Sequence, residues 1–254
     1  MKSVYGPVAS WRLGRSLGID LINKEEKACS FNCIYCQLGD TKPIYERKEF
    51  INLEKLKKDL KLIKGIEADV ITFSGTGEPT LAKNLGDIVD YVRSISKLPL
   101  AILTNSLLLS NEEVKNALYK LDIVVAKLDA PNEELFRKIN RPYEKISFEE
   151  YLKGIKTFRK NYKGKFALQI MFIKANKEYA KEIAKIAKEI KPDEIQINTP
   201  LRPCPITPLN KDEIKKIKDI FSDFKNVHSV YEAKKPEVKP IDLKEVQKRK
   251  RPEP

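Results

Sequence analysis

Short runs of apolar residues alternate along the chain with longer stretches in which apolar residues recur every three or four positions. The runs have the length of buried strands, and the longer stretches have the period of amphipathic helices. The pattern predicts strands at residues 17–22, 69–73, 100–103, 123–128, 166–173 and 194–198, with a weaker candidate at 227–231. It predicts helices at residues 53–66, 84–96, 132–139, 147–162, 178–190 and 211–224, and one more that opens at the S-x-x-E sequence 110–113.

Strands that alternate with helices pair in parallel and are joined by right-handed crossovers. About six such units are present, fewer than the eight of a closed (β/α)8 barrel. We therefore expect an α/β domain over residues 1–231, which begins with an irregular segment, residues 1–16. Residues 232–254 combine lysine, proline and glutamate with few apolar positions. They predict a basic, flexible C-terminal tail without a core of its own.

Three cysteines, Cys29, Cys33 and Cys36, follow the first predicted strand with the spacing C-x3-C-x2-C. Three thiolates can hold three irons of a four-iron cubane and leave one iron open. An open coordination position lets a metal site act on a ligand. The alternative is a structural zinc site, for which the remaining cysteine and histidine, Cys204 and His228, lie far along the chain. Disulfide bonds are disfavoured because nothing indicates secretion.

Polar residues lie at or just after the ends of the predicted strands, where parallel α/β folds place their ligand sites. The second strand leads into Gly75, Thr76, Gly77, Glu78 and Pro79; the third into Thr104 and Asn105; the fourth carries Lys127 and Asp129; the fifth carries Gln169; and the sixth carries Gln196 and Asn198. Packing alone does not explain polar groups from so many strands at one rim. The collection of polar residues at one rim predicts a binding site there.

The net charge of +13 fits two interpretations. It is expected of a protein that binds a polyanion such as RNA. The high content of lysine and glutamate is also typical of hyperthermophile proteins, whatever they bind. No apolar run of about 18 residues predicts a membrane-spanning helix, and residues 1–10 do not have the pattern of a signal peptide. A cytoplasmic protein without membrane contact is expected.

The cysteine spacing, with Tyr35 before the last cysteine, resembles the signature of the radical S-adenosylmethionine (SAM) superfamily. Residues 75–79 resemble the Gly-Gly-Glu-Pro motif of that family, with Thr76 as an insertion or a replacement relative to the commonest form. Across roughly residues 4–204 the order of motifs is similar to a subgroup of small bacterial and archaeal proteins. That subgroup is related to the enzymes that form the tricyclic wyosine base of tRNA. The extra N-terminal cysteines of those enzymes are absent here.

The resemblance implies a partial (β/α)6 barrel of parallel strands, a [4Fe-4S] cluster on Cys29, Cys33 and Cys36, and SAM chelated to the open iron. It also implies an external electron donor, ferredoxin or flavodoxin. The positions expected to contact SAM are Tyr35, Gly75, Thr76, Gly77, Glu78, Pro79, Thr104, Asn105, Asp129, Gln169 and Asn198.

Lys127, Arg141 and Arg202 are the candidate catalytic residues. Lys127 and Asp129 are two residues apart, so both point to one side of a strand. Three roles are open for this pair. The two residues form an internal ion pair, or Asp129 binds a SAM ribose hydroxyl while Lys127 binds a carboxylate. In the third, Lys127 forms a Schiff base with a carbonyl substrate. Arg141 and Arg202 can present planar guanidinium groups to SAM or substrate.

Three functions remain open at this point. The first is hydrogen abstraction from a nucleotide in tRNA, in line with the charge and with the related enzymes. The second is radical modification of a protein, such as the activation of a glycyl radical enzyme. The third is a metal-binding module without catalysis, which the polar rim disfavours.

Overall fold

An eight-stranded sheet, with strands in chain order, forms the centre of the fold. The computed structural model describes residues 1–61 and 65–249. The strands are β1 (Val4–Ser10), β2 (Gly14–Ile19), β3 (Val70–Phe73), β4 (Leu100–Thr104), β5 (Ile123–Lys127), β6 (Lys165–Met171), β7 (Glu194–Asn198) and β8 (Val227–Ser229). β1 and β2 are antiparallel, and all later neighbours are parallel. The sheet is a curled partial barrel, so the predicted fold class is confirmed.

Helices connect the parallel strands, and one more helix follows the last strand. Within the described ranges they are α1 (Leu53–Leu60), α2 (Leu85–Ile95), α3 (Glu112–Leu118), α4 (Glu133–Leu135), α5 (Phe148–Asn161), α6 (Ala180–Ile190), α7 (Lys211–Ile220) and α8 (Leu243–Lys248). The predicted capping box at Ser147 and Glu150 is present. α3 is capped by Asn111 rather than by Ser110, because the Asn111 side chain accepts from the Val114 amide.

Several predicted boundaries differ from the structure. α1 ends at Leu60, and residues 62–64 of the predicted helix lie outside the described residues. α7 ends at Ile220 instead of 224. The predicted helix 132–139 is the short α4 followed by a π-helix, Phe136–Asn140. The π-helix brings Asn140 inward, where it is buried.

The prediction of an irregular segment at residues 1–16 was wrong. This segment belongs to an antiparallel hairpin of β1 and β2, whose second strand begins at Gly14 with a φ of +73°. β1 contains a Gly-Pro pair and lacks alternating apolar residues, so its sequence gives no strand pattern. Proline is tolerated there because β1 is an edge strand.

The two faces of the sheet differ in chemistry. One face packs against the helices through fully buried apolar side chains such as Ile71, Ile102 and Leu168. The opposite face carries a polar row, because the register places Lys127, Gln169, Gln196 and His228 side by side on β5 to β8. The polar rim predicted from the sequence is therefore continuous with one face of the barrel.

The C-terminal segment, which the sequence predicts as a basic, flexible tail without a core of its own, packs on the barrel in its described part, residues 232–249. The Ile241 amide donates to the Gly6 carbonyl at 2.7 Å, and α8 packs on β1. Val246 is 1% exposed and Arg249 is fully buried. One buried valine and one buried arginine among many charged residues leave no periodic signal. Residues 250–254 lie outside the described part of the chain.

Across residues 1–61 and 65–249, we find no helix with the length and apolar character needed to span a lipid bilayer.

Candidate cluster and cofactor site

The three cysteines of the C-x3-C-x2-C run lie on the loop between β2 and α1 and are partly exposed. Two asparagine side chains from other elements reach their sulfurs. Asn105, just after β4, donates to Cys29 Sγ at 3.5 Å, and Asn140 donates to Cys33 Sγ at 3.6 Å. Hydrogen bonds to ligand sulfurs are one means by which proteins set cluster potentials.

The cysteine loop is held by backbone hydrogen bonds to the segment after α4. The amides of Asn32 and Ile34 donate to the carbonyls of Asn140 and Ile139, each at 3.0 Å, and the Tyr143 amide donates to Ser30 at 2.9 Å. These bonds fix the loop without using the thiol groups, so the sulfurs remain able to bind metal.

Residues 75–79 lie directly against the cysteine loop. Gly77 forms a β-bridge with Ala28, the residue before Cys29, and the Glu78 amide donates to the Ala28 carbonyl at 3.0 Å. A Cβ on Gly77 would lie 1.8 Å from that carbonyl oxygen. Glycine is therefore required for the two loops to approach this closely. Pro79 begins a short 3-10 turn behind the contact.

Glu78 is buried, and its carboxylate accepts hydrogen bonds from within the protein. Oε1 accepts from the Thr104 hydroxyl and the Thr80 hydroxyl, each at 2.7 Å, and Oε2 accepts from the Asn105 amide at 2.6 Å. Burial raises the pKa of Glu78, and these hydrogen bonds oppose the rise. Glu78 thus fixes Thr104 and Asn105 at the rim. Its predicted contact with SAM stays a prediction.

Asp129 is the centre of a second buried network. Its carboxylate accepts from the Asn140 amide group at 2.7 Å, from the Met171 backbone amide at 2.8 Å and from the Tyr35 hydroxyl. Lys127 Nζ lies 3.6 Å from the carboxylate and 3.0 Å from the Tyr35 hydroxyl. The internal ion pair is thus formed in the structure, while the SAM ribose and Schiff-base roles stay predictions.

This network predicts that Asp129→Ala destabilises the protein by about 3–5 kcal/mol, because buried donors and the Lys127 charge lose their acceptor. Asp90→Ala is the matched control. Asp90 pairs with Lys120 at 2.6 Å on the surface, and an exposed pair contributes less than about 1 kcal/mol. Urea unfolding measures both changes. Equal losses for the two variants would show that the Asp129 network contributes no more than a surface pair.

The structure shows the immediate surroundings of four further predicted residues. Gln169 lies beside Lys127 on the polar face of the sheet. Asn198 is buried, and its side chain accepts from the Thr199 amide at 2.9 Å. Arg202 donates to the Gln37 side chain at 2.7 Å, next to Cys36. Arg141 is exposed and has a left-handed backbone, with φ +44°.

The family of this chain is identified by a family model that matches most of its length. The model of the radical SAM superfamily matches residues 27–199, which include the cysteine loop, the glycine loop and Asp129. The chain belongs to the radical SAM superfamily. It is a radical SAM enzyme, and membership implies SAM and an iron–sulfur cluster as cofactors.

Relatives of this radical SAM protein cover most of its length. A UPF0026 protein of Synechocystis sp. is 40% identical over 206 residues, 80% of this chain and 77% of its own. A UPF0026 protein of Methanocaldococcus jannaschii is 38% identical, over 88% of this chain and 72% of its own. Among solved structures, Streptococcus suis SuiB bound to S-adenosylmethionine aligns with a TM-score of 0.63 and 16% identity. The alignment covers 83% of this chain and 50% of SuiB, and it shows a shared fold.

The three thiols on one loop fit the chemistry of an iron–sulfur cluster, because a cubane takes each thiolate on a different iron. Burial raises the pKa of Cys29 to about 12 and also raises that of Cys33. A cluster on these cysteines would take them as thiolates, and its binding would therefore release these protons.

Sequence reasoning missed Asn140 and Asp20 as site residues. Asn140 stands in the Asn-Arg-Pro sequence from which the exposed Arg141 was chosen instead. Asp20 directly follows β2 and its carboxylate accepts from the Thr76 amide at 3.1 Å. A polar residue at the end of the first parallel strand was a usable signal for Asp20, since the same rule identified the other rim residues.

Proposed function

We propose that this enzyme binds a [4Fe-4S] cluster through Cys29, Cys33 and Cys36 and cleaves SAM reductively to start radical chemistry on a substrate. One observation carries the proposal: the Ala28–Gly77 bridge joins the thiol loop to the glycine loop. The two loops that would hold the cluster and the methionine end of SAM are thereby fixed against each other.

When bound, the cluster would supply the electron that cleaves SAM to methionine and a 5′-deoxyadenosyl radical, which abstracts hydrogen from the substrate. The protein residues bind and orient. Asn105 and Asn140 donate to ligand sulfurs. The glycine loop offers close backbone approach for the methionine of SAM, and the role proposed for Asp129 is to accept from a ribose hydroxyl of SAM. Ferredoxin or flavodoxin would deliver the electron.

The test is anaerobic reconstitution followed by incubation with SAM and dithionite. We expect a four-iron absorbance spectrum and release of 5′-deoxyadenosine, measured by liquid chromatography. A protein that assembles the cluster but releases no 5′-deoxyadenosine would instead be the metal-binding module without catalysis.

We propose a nucleotide in tRNA as the substrate, with support from the charge of the chain. Part of the positive charge is balanced on the outer helices, where Lys156 pairs with Glu189 and Lys188 with Asp223. Such pairs are typical of thermophile surfaces. The segment before α8 differs, since Lys234, Lys235 and Lys239 are exposed with one acidic residue, Glu237, among them.

If this segment contacts tRNA phosphates, replacing Lys234, Lys235 and Lys239 by Gln should flatten the salt dependence of tRNA binding. The slope of log K against log salt should fall by about one for each phosphate that the variant no longer neutralises. In the control, Lys181, Lys185 and Lys188 of α6 are replaced by Gln. This changes the net charge by the same amount at another surface. Filter binding from low to high salt measures both. Equal slopes for the two variants would show that this segment does not contact RNA. If the unaltered protein does not bind tRNA, a protein substrate is favoured.

A further inference from the structure

Asp20 ties the glycine loop to the end of β2. It is 1% exposed. Its Oδ2 accepts from the Thr76 amide at 3.1 Å, and the Thr76 hydroxyl lies 3.1 Å from the same oxygen. A Cβ on Gly75 would lie 2.0 Å from the Asp20 carboxyl carbon, so the carboxylate packs directly on the loop backbone. The position of Thr76 therefore depends on how Asp20 is held.

Arg249 is the cation that holds Asp20. It is fully buried, and its Nε donates to Asp20 Oδ2 at 2.9 Å. Its other nitrogens donate to the carbonyl of Glu245 at 2.9 Å and to the carbonyl of Lys2 at 2.7 Å. An ammonium of the same charge would keep the charge but could make only part of these hydrogen bonds. The two residues of the pair lie 229 positions apart in the chain.

The same guanidinium reaches the glycine loop by a second route. It lies over the Tyr5 ring, 4.3 Å from the ring centre. The Tyr5 hydroxyl donates to the Ser74 carbonyl at 3.0 Å and contacts the Ser74 hydroxyl at 2.9 Å. Ser74 and Thr76 flank Gly75, so both residues beside that glycine are held by groups that Arg249 contacts.

A third contact joins Arg249 to the cysteine loop. The Gln37 side chain donates to the Arg249 carbonyl at 3.1 Å and accepts from Arg202 at 2.7 Å. Gln37 follows Cys36 directly. Arg249 thus touches the supports of both loops of the site, although neither α8 nor Arg249 belongs to the residues that would contact cofactor.

We propose that Arg249 is a positioning residue for SAM: through Asp20 and Tyr5 it fixes Thr76 and Ser74, and so sets the shape of the glycine loop. This inference rests on the proposed function, because it takes residues 75–79 as the methionine site of SAM. It gives the C-terminal segment a role in cofactor binding that is separate from any contact with RNA.

The experiment compares hydrogen exchange and SAM affinity in the full-length, cluster-reconstituted protein. In Arg249→Gln, amides of residues 74–78 should exchange about tenfold faster before SAM is added. The dissociation constant for SAM should rise about tenfold, with unchanged iron content. Arg249→Lys should restore part of the slow exchange and part of the SAM affinity that Arg249→Gln loses. Arg159→Gln is the control, since Arg159 pairs with Asp193 at 2.7 Å on the outer surface and does not contact the loop.

Tyr5→Phe keeps the ring under Arg249 and removes only the hydroxyl bonds to Ser74, so it tests the second route if Arg249→Gln does not fold. It should speed exchange at residues 74–75. The proposal would be overturned if the loop amides exchanged at the wild-type rate in both Tyr5→Phe and Arg249→Lys. It would also be overturned if Arg249→Gln and Arg159→Gln had equal effects. Faster exchange with unchanged SAM affinity would overturn its link to SAM. Failure of the unaltered protein to bind or cleave SAM would instead refute the proposed function.

Discussion

Replacing Cys29, Cys33 or Cys36 by Ala is expected to abolish the iron–sulfur spectrum and all release of 5′-deoxyadenosine. Each thiolate would hold a different iron of the cubane, so no remaining ligand can substitute for a missing one. Iron and sulfide analysis after anaerobic reconstitution measures the first effect, and chromatography of the SAM products measures the second.

Cys204→Ala provides the matched control for this prediction. Cys204 is partly exposed, and its thiol lies 3.4 Å from the Ile206 carbonyl, in the loop after β7. We expect its removal to leave iron content and SAM cleavage unchanged. Loss of the cluster in Cys204→Ala would show that a fourth protein thiolate completes the site. Stoichiometric zinc in place of iron in the unaltered protein would refute the cluster itself.

The parts of the fold that the sequence could predict are those with a local signal. Alternating strands and helices are visible because each element has its own period. The rim residues follow from one rule about the ends of parallel strands. β1 lacked such a signal, since its Gly6 and Pro7 interrupt any alternation. The buried Arg249 lacked one too, because its ion pair is with Asp20, 229 positions away in the chain.

The hydrogen-bond partners of the buried site residues could not be predicted from the sequence. The sequence placed Glu78 and Asp129 at the rim, and the structure does so as well. The sequence does not show that the Glu78 carboxylate is bonded to Thr80, Thr104 and Asn105. Such contacts depend on side-chain directions that only the assembled sheet defines. They change what a substitution at these positions is expected to do, since stability and binding are altered together.

Replacing Gly77 by Ala is expected to have the second large effect, on SAM binding. The new Cβ would lie 1.8 Å from the Ala28 carbonyl oxygen, which belongs to rigid backbone. The two loops must therefore separate. Such overpacking costs about 1–3 kcal/mol, and a loss of that size at the site would raise the dissociation constant for SAM by roughly 5- to 150-fold. Equilibrium dialysis with the reconstituted protein measures this change.

Gly86→Ala is the control for the Gly77 variant, because it adds the same methyl group where space exists. Gly86 lies in α2, and the nearest atom to an added Cβ would be the Ala117 Cβ at 3.7 Å, an ordinary contact. Alanine is also favoured over glycine within a helix by up to about 1 kcal/mol. Gly86→Ala should therefore bind SAM normally and unfold at an equal or higher urea concentration. If Gly77→Ala also binds SAM with unchanged affinity, the bridge between the loops does not shape the SAM site, and the observation that carries the proposed function loses its force.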